Sequence, residues 1–572
     1  MNHPKNSRRS FLKGTAGMVA AGGISSFVPK LNLIGEACAQ SVTTGYKALV
    51  NIYLGGGGDS WNMLIPTSTA VGNEFDHTVY RTSRGLYYST VNDAATFRSP
   101  DGLAIPRATT ANCLPQAIAL TQGIAAGGNL GLNPFMPEIA SLYNQGRVAF
   151  LANVGTLVEP LTRASYNARR KPPQLYSHND QTNLWQIGSS VATSTQRGFG
   201  GMIAGYTANP AQQGVNLPSA ISISGSNRFL IGRTPGDQAV FPFQLSTSSG
   251  TPATQLSNYD SGSTNLGEPQ RRQALEELLA VAYPQLYSQE SANIFDRSLD
   301  LSLTINQTIS QSLLNATLYV PANDPNTNIR GNAVGNAVTF PNTGIAQQLR
   351  QIARVIRISR PGFVPPGGNP SINANRQVFY ASTGGYDTHS DQITSITAAN
   401  GHHGLLQQLS QAINWFYAEL TAIGNDSTGT AAVNEVIAFT MSDFGRTING
   451  NDNGTDHAWG SVQFMVGGPQ ALNGGQVYGR YPSMFLDNRI GGTGAVVPNQ
   501  GENFSRGQFI PTLANDQMSA SLARWMGVDN ANIPTLFPNI DNFATGPFAN
   551  AGASPTFAYF NRVVPNLIPG VS

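Results

Sequence analysis

The chain has 572 residues, enough for one large domain or two, and its hydrophobic fraction of 40% is ordinary. Charged residues make up only 11%, against about 25% in an average soluble protein, so the surface must be polar largely through amides and hydroxyls. No apolar run reaches the roughly 20 residues of a membrane-spanning helix, which excludes a polytopic membrane protein. A net charge of +2 without a Lys/Arg-rich block argues against a nucleic-acid binder.

The first 39 residues have the pattern of an export signal. The string SRRSFLK (7–13) places paired arginines before Phe and Leu, a Gly/Ala-rich stretch follows, and Ala37-Cys38-Ala39 offers the small residues that a signal peptidase recognises. This pattern resembles a twin-arginine signal. We therefore predict that the Tat translocon is the partner during export, that cleavage occurs near Ala39 and that the mature protein is periplasmic or secreted. The alternative is a disordered basic tail.

Cleavage changes the charge and the cysteine content. Residues 1–39 carry a net charge of +4, so removing them from a chain of +2 leaves a mature protein near −2. Cys38 leaves with the signal and Cys113 remains alone, which excludes an intramolecular disulfide.

The mature chain alternates predicted buried strands with predicted helices. Four short apolar runs, spread along the chain, each end in a polar or glycine-rich turn. Such runs are typical of a parallel sheet covered on both faces. Between these runs, apolar residues recur at the three- and four-residue spacing of a helix, most clearly in the amphipathic stretch 405–423. The alternation predicts an α/β fold with a mostly parallel sheet and helices on both faces. The four predicted strands are 47–54, 147–154, 377–382 and 436–441.

Two regions do not fit this alternation. Residues of about 190–345 are rich in Gly, Pro, Ser, Thr and Asn, and we interpret them as a loop-rich insertion in a domain of residues 40–540. Residues 541–572 have little periodicity and are predicted to form a C-terminal surface tail.

Three of the strands deliver an acid at their carboxyl ends, namely Asp59, Asp387 and Asp443. Ligands of open α/β sheets bind at this edge. His389 follows Asp387 closely, and Asp456-His457 follows the Asp443 segment. Acids and imidazoles without thiolates suit a divalent metal such as Zn, Mn, Mg or Ca.

Each residue also has a structural alternative. Asp59 is equally suited to cap the turn after its glycines, and Asp456 to form an Asx turn. His389 and His457 also fit the role of buried loop histidines held by hydrogen bonds.

Four motifs together resemble the DUF1501 family: GGGGDSWN (55–62), GYDTHSDQ (385–392), SDFGRT (442–447) and GTDHAWG (454–460). LAIP (103–106), LGLNP (130–134) and YSHNDQTNLWQIG (176–188) fall between them in the expected order, so the resemblance spans roughly residues 45–540. The family looks like a member of the alkaline phosphatase/sulfatase-like superfamily, whose members cleave or transfer phosphate or sulfate ester groups.

This resemblance implies roles for the acids. Asp59 and Asp443 would hold one metal, Asp387 and His389 a second, and His457 would be the late histidine of the site. The superfamily commonly has Asp-His where this chain has Asp443-Phe444, and a wider Asp-to-His spacing than that of Asp387 and His389. The expected number of ions is therefore one or two.

The superfamily also uses a nucleophile at a helix N-terminus, where the helix dipole favours an oxyanion. Ser177 is the candidate, with His178 as a general acid/base or a supporting group; the alternative for Ser177 is a capping box with Asp180. Asn62 and Arg446 are candidates for binding an anionic substrate oxygen, or for stabilising their own loops. His402 and His403 are expected at the surface.

The resulting hypothesis is an exported metal-dependent hydrolase or group transferase acting on an anionic small-molecule or polymer ester of phosphate or sulfate. Two alternatives remain. A catalytically degenerate envelope or binding protein would keep the fold and a metal. An exported oxidoreductase would fit a twin-arginine signal, although the sequence has no dinucleotide fingerprint, haem motif or cysteine cluster.

Export gives the first testable prediction. Replacing Arg8 and Arg9 with Lys should leave the precursor in the cytoplasm, because the transport receptor recognises paired arginines. Fractionation and immunoblotting measure this, and mass spectrometry of the wild type should find a mature N-terminus near Gln40. A double variant that reaches the periplasm normally would contradict the assignment.

Overall fold

In a computed structural model the chain forms a mixed α/β fold around a mostly parallel central sheet. The described residues are 45–70, 75–90, 102–122, 129–163, 165–189, 197–208, 215–247, 268–281, 340–360, 372–423, 431–451, 453–486, 506–544 and 561–571, with shorter pieces at 253, 288–289, 292, 295, 299, 302, 305–306, 338, 503–504 and 558–559. The predicted signal (1–39) lies outside them.

The four predicted strands are confirmed to within one residue at each end, and they form the middle of the sheet together with a fifth strand, residues 461–467. All strands in the described part of the chain are, in order, β1 Lys47–Leu54, β2 Leu64–Pro66, β3 Ile118–Ala119, β4 Leu130–Leu132, β5 Val148–Gly155, β6 Val215–Asn216, β7 Ala220–Ser222, β8 Gly232–Arg233, β9 Ala239–Val240, β10 Phe243–Gln244, β11 Ile372–Asn373, β12 Arg376–Thr383, β13 Val436–Ser442, β14 Ser461–Gly467, β15 Gln476–Gly479, β16 Asn503–Phe504, β17 Gln508–Phe509 and β18 Leu513–Ala514.

The central sheet has the strand order β10-β7-β12-β1-β13-β14-β5-β15, and β18 also pairs with β5. Among these strands β14 alone runs antiparallel to its neighbours, β13 and β5. Strand β1 pairs in parallel with β12 and β13 along its whole length, so Leu54, Thr383 and Ser442 end at one edge. The polar turns that follow these three strands are thereby brought together.

Helices cover both faces of the sheet, because its strands are apolar on both sides. The helices in the described residues are α1 His77–Ser83, α2 Pro137–Asn144, α3 His178–Ile187, α4 Phe199–Thr207, α5 Glu268–Leu279, α6 Gly344–Ser359, α7 Gly401–Ile423, α8 Asn515–Met526, α9 Ile533–Leu536 and α10 Asp541–Ala544. None of them combines the length and the apolar character needed to cross a bilayer.

Strand β1 shows how the two cores are separated. Its residues Val50 and Ile52 pack into one buried cluster with α2, α6 and α7. Leu49 and Tyr53, which point the other way, pack into a second cluster with α3, α4, α8 and α9. The predicted mixed α/β class with a mostly parallel sheet is confirmed.

The region predicted as an insertion is in part integral to the domain. Strand β7 pairs with β12, and β10 pairs with β7, so both extend the central sheet. Helix α4 is buried along its whole length against the sheet. The sequence of 190–345 does not reveal these strands, because they have only two or three residues each within a polar, Gly-rich region.

The predicted surface tail also contributes to the interior. Val563, Val564, Leu567 and Ile568 are at most 2% exposed and belong to the second cluster. Gln517 of α8 holds this segment by donating to the carbonyl oxygens of Tyr559 and Asn561.

Two glycines after β1 make a matched test of the edge geometry. Gly57 has a φ of +74°, and a Cβ there would lie 2.5 Å from the Phe444 ring, whereas the nearest atom to a Cβ at Gly55 is 3.8 Å away. We expect Gly57→Ala to lower the free energy of unfolding by about 1–3 kcal/mol and Gly55→Ala by less than about 0.5 kcal/mol. Urea unfolding measures both, and equal losses would show that the loop adapts freely.

Candidate functional site

The candidate site lies at the carboxyl edge of β1, β12 and β13. The loops after these strands carry Asp387, His389, Asp443 and His457, and helix α3 presents its first residue, His178, to the same place. Gly56, with a φ of +118°, lets the first loop approach, because a Cβ there would collide with the backbone of Asp387.

Three imidazole nitrogens converge at this edge. Nε2 of His457 lies 3.0 Å from Nε2 of His178 and 2.9 Å from Nε2 of His389. The Asp387 carboxylate lies beside all three rings, with its oxygens 3.1–3.5 Å from their Nε2 atoms. Ligand atoms of His178, Asp387 and His457 all lie within 4.8 Å of one another, a grouping that could hold a metal ion.

Each ring is oriented through its other nitrogen. Nδ1 of His178 donates to Asp443 Oδ2 at 2.6 Å, and Nδ1 of His457 donates to the Tyr176 carbonyl oxygen at 2.9 Å. Nδ1 of His389 lies 3.3 Å from Asp456 Oδ1. A carbonyl oxygen only accepts, so the proton of a neutral His457 is on Nδ1 and its Nε2 carries a lone pair. Such outer hydrogen bonds are typical of metal-binding histidines.

Besides His178, two further donors fix Asp443. Tyr53 donates its hydroxyl hydrogen to Oδ1 at 2.6 Å, and the Gly56 amide lies 3.2–3.3 Å from both oxygens. Burial, and then the Asp443 charge, raise the pKa of Tyr53 well above its ordinary value, so Tyr53 remains a donor. Asp443 was predicted as a metal ligand; the structure places it one step away, holding His178.

Charges around the centre favour a neutral His457 and an ionised Asp387. Burial lowers the pKa of His457, the hydrogen bond to the Tyr176 carbonyl oxygen opposes this, and Arg446 and the two other imidazoles add to the lowering, so the pKa is lowered overall. Burial raises the pKa of Asp387, but the hydrogen bond and charge of Arg446 outweigh it, so the pKa is lowered overall. Neutral imidazoles and an ionised carboxylate are the forms that bind metals.

The two residues predicted to bind substrate, Asn62 and Arg446, make contacts within the protein. Arg446 is completely buried and donates to the carbonyl oxygens of Gly56, Gly57 and Thr455 and to the Asp387 carboxylate. Asn62 is also completely buried.

The amide of Asn62 is fully engaged. It donates to the Leu103 carbonyl oxygen at 2.9 Å and accepts from the Tyr80 hydroxyl at 2.7 Å. Both Asn62 and Arg446 thus hold loops together, and their role in substrate binding stays a prediction.

Asp59 lies in a separate buried network. Its Oδ1 pairs with Arg84 at 2.6 Å, and its Oδ2 accepts from Gln392 at 2.6 Å, with no exposure of either ion-pair partner. Burial alone raises the pKa of Asp59, but Arg84, His402 and the hydrogen bonds outweigh it and the pKa is lowered. The structure gives both carboxylate oxygens protein partners, and Asp59 is not brought into the group of His178, Asp387 and His457.

Gln392 connects Asp59 by hydrogen bonds to the two loops of the candidate site. Because a carboxylate only accepts, the Gln392 amide nitrogen must face Asp59. Its Oε1 then accepts from Thr388 at 3.1 Å and from Thr455 at 2.8 Å, which flank His389 and Asp456. Asp59 thus fixes the orientation of the loops that carry the imidazoles.

Ser177 forms the helix cap that was the alternative to a nucleophile. Its Oγ accepts from the Asp180 amide and donates to the Asp180 carboxylate at 2.6 Å. His178 follows immediately and supplies the ring at the centre.

The expectation that His402 and His403 lie at the surface is wrong. Both are 1% exposed, because α7 begins at Gly401 and its first turn points inward. Burial lowers their pKa values to about 4 and about 3.

Three contributors to the site were missed from the sequence. Tyr53 lies in an apolar run outside the motifs, and Gln392 closes the motif GYDTHSDQ but was given no role. Phe444, noted as a missing imidazole, packs its ring 4.7 Å from His178 and 4.5 Å from His457, centroid to centroid. The available signal for Tyr53 was its position in an apolar run, because a buried tyrosine one residue before the strand end needs a hydrogen-bond partner for its hydroxyl at that edge.

Residues 371–489 match the family model described as "Protein of unknown function (DUF1501)". The matched segment runs from β11 to the loop after β15 and contains Asp387, His389, Asp443 and His457. It supports the resemblance over these residues. No curated protein matches the chain.

The Asp59–Arg84 pair gives a prediction for stability. Asp59→Asn leaves Arg84 buried without a counter-charge, so we expect a loss of about 3–5 kcal/mol in the free energy of unfolding. The matched control Asp541→Asn removes a partly exposed carboxylate paired with Arg562 at 2.6 Å, and should cost at most about 1 kcal/mol.

The same pair predicts a pH dependence with a defined sign. Because the Asp59 pKa is lowered, its stabilising contribution is present above the ordinary carboxyl value of 3.8 and is lost as the pH falls through the lowered value. The difference between wild type and Asp59→Asn in urea unfolding should therefore shrink in acid. A difference that is constant with pH would contradict an ionised Asp59.

Proposed function

We propose that this chain is an exported metal-dependent hydrolase of phosphate or sulfate esters, related over roughly residues 45–540 to the DUF1501 family and to the alkaline phosphatase/sulfatase-like superfamily. The observation that carries the proposal is the convergence of the His178 and His457 Nε2 atoms with Asp387. Nδ1 of each of the two rings donates to an oxygen, so in the neutral rings both Nε2 atoms carry lone pairs, and at 3.0 Å they repel one another unless a cation lies between them.

The donor set fits one divalent transition metal. Imidazoles and a carboxylate suit Zn²⁺ or Mn²⁺ better than Mg²⁺ or Ca²⁺, which prefer oxygen ligands throughout. We assign His178, Asp387 and His457 as ligands. Three protein ligands are typical of a catalytic rather than a structural zinc site. Phe444 occupies the place where the superfamily commonly has a second-site histidine, which favours one ion over two.

When bound, the metal would act as a Lewis acid on the anionic ester. The protein groups around it supply orientation and proton transfer. Asp443 and the Tyr176 carbonyl oxygen hold His178 and His457, and Arg446 holds Asp387. The His389 side chain is 45% exposed, more than that of His178 at 32% and that of His457 at 24%. We assign His389 the transfer of a proton to the leaving oxygen.

Ser177 is less suited than water to be the nucleophile. Its hydroxyl donates to Asp180 and caps α3, so an attack by Ser177 requires the cap to open. Because the Ser177–Asp180 contact occupies the candidate nucleophile, it also supports the second candidate function, a metal-binding envelope protein without turnover.

A set of variants separates these roles. We expect His178→Ala and His457→Ala to lose most bound metal, and His389→Ala to keep it while kcat falls about 10²-fold or more, the usual contribution of a general acid. Elemental analysis of the exported protein and a panel of nitrophenyl phosphate and sulfate esters provide the measurements. Bound metal without turnover of any ester would exclude the hydrolase and favour the binding protein.

Ser177→Ala has a matched control in Thr343→Ala, because Thr343 caps α6 by accepting from the Ala346 amide. We expect each substitution to cost about 1 kcal/mol of stability, with kcat unchanged in both. A Ser177→Ala protein that is folded, loaded with metal and inactive would show instead that Ser177 is the nucleophile.

A further inference from the structure

Thr182 uses its hydroxyl differently from three other threonines in helices. Thr82, Thr207 and Thr421 each donate to the carbonyl oxygen four residues earlier in their own helix, at 2.8–2.9 Å. A threonine inside a helix can always satisfy its hydroxyl in this way. Thr182 of α3 instead has its Oγ1 2.7 Å from the hydroxyl oxygen of Tyr53, at the end of strand β1. This contact across elements therefore calls for its own explanation.

The direction of the Thr182–Tyr53 bond follows from the bond next to it. Tyr53 has a single hydroxyl hydrogen, and it donates this hydrogen to Asp443 Oδ1 at 2.6 Å. Thr182 must therefore be the donor to Tyr53. The other carboxylate oxygen of Asp443 accepts from Nδ1 of His178, also at 2.6 Å. The donors thus run in one direction from Thr182 through Tyr53 to Asp443, and hydrogen bonds arranged in series strengthen one another.

These bonds close a loop, because it begins and ends on the same helix. His178 is the first residue of α3 and Thr182 lies four residues later, so the two side chains share one face, about 6 Å apart along the axis. Tyr53 lies in β1, and Asp443 follows β13, its neighbour in the sheet. Helix α3 is therefore attached to the carboxyl edge of the sheet at two points one turn apart, which fixes the position of its first ring.

The middle of the loop is shielded from water. Tyr53 is 6% exposed, and its ring stacks on Tyr380 of β12 with the centroids 6.3 Å apart. The Asp443 side chain is 4% exposed. Hydrogen bonds between such groups are stronger than those in water, and the loss of a donor leaves a buried acceptor unpaired. The loop is therefore sensitive to the removal of a single hydroxyl.

We propose that Thr182 and Tyr53 are positioning residues of the candidate metal centre: acting through Asp443, they hold His178 so that the lone pair of its Nε2 points to the place where Nε2 meets His457. The proposal rests on the proposed function, which it deepens by assigning two residues that touch neither the metal nor the substrate. Removing an outer partner of a metal-binding histidine commonly lowers metal affinity 10–100-fold.

The test is metal binding by the full mature protein, with Zn²⁺ and Mn²⁺ as probes in competition with a chelator. We expect Tyr53→Phe, which keeps the ring and removes the donor, to raise the dissociation constant about tenfold or more. Thr182→Val should raise it about threefold, because it weakens the Tyr53 bond without removing it. Thr182→Ser keeps the hydroxyl and should restore the wild-type value. The visible absorption spectrum of Co²⁺-loaded protein, which reports ligand geometry, should change in the first two variants.

A double variant separates positioning from a general loosening of the structure. If Thr182 acts through the Tyr53 hydroxyl, Tyr53→Phe combined with Thr182→Val should bind metal no more weakly than Tyr53→Phe alone. Two independent effects would instead multiply in the dissociation constant. Urea unfolding of the metal-free protein shows whether each variant is folded, and Thr182→Ala takes the place of Thr182→Val if the latter is not.

Two controls match these variants. Tyr380→Phe alters a buried tyrosine whose hydroxyl makes no hydrogen bond within the described part of the chain, and Thr207→Val removes a hydroxyl that bonds within α4. Both should leave metal affinity unchanged.

An equal effect of either control, unchanged affinity in Tyr53→Phe or Thr182→Val, or a multiplicative double variant would overturn the positioning role and leave the hydrolase. Metal binding that depends on both residues, without turnover of any ester, would overturn the hydrolase and support the positioning role. A wild-type protein that binds neither Zn²⁺ nor Mn²⁺ would overturn both.

Discussion

One buried guanidinium joins the loops on which the candidate site depends. Arg446 donates to the carbonyl oxygens of Gly56, Gly57 and Thr455 and pairs with Asp387, so it connects the turns after β1, β12 and β13. Parallel strands bring these turns to one edge, but they do not fix them relative to one another. A planar group with five donors does so, which a lysine with a single ammonium could not.

The acids at this edge illustrate two uses of the same chemistry. Asp387 lies among the imidazole nitrogens, whereas Asp443 and Asp456 approach the far nitrogens of His178 and His389. Asp59 is further removed and acts through Gln392. A carboxylate beside a ring nitrogen selects the tautomer and the orientation of that ring. The acids that do not touch the centre therefore act on it by fixing the positions of the side chains that do.

The sequence allowed the strands and their common edge to be predicted, because a short apolar run followed by Gly and Asp can be recognised from neighbouring residues alone. It did not allow the partners to be assigned. Arg84 is 25 positions from Asp59, and Gln392 is 333 positions away, so nothing near Asp59 distinguishes an ion-pair partner from a metal ligand. His402 and His403 were misplaced for a similar reason, since their burial depends on where α7 packs rather than on its own residues.

The position of residues 561–571 has a consequence for how the protein is made. Val563, Val564, Leu567 and Ile568 complete the same buried cluster as Leu49 and Tyr53 of β1, which the ribosome synthesises hundreds of residues earlier. Both strands that pair with β1, β12 and β13, are also synthesised much later than β1. The nascent chain therefore carries β1 without its two neighbours until residues 376–442 have been synthesised, and an unpaired strand edge of this kind is prone to aggregation.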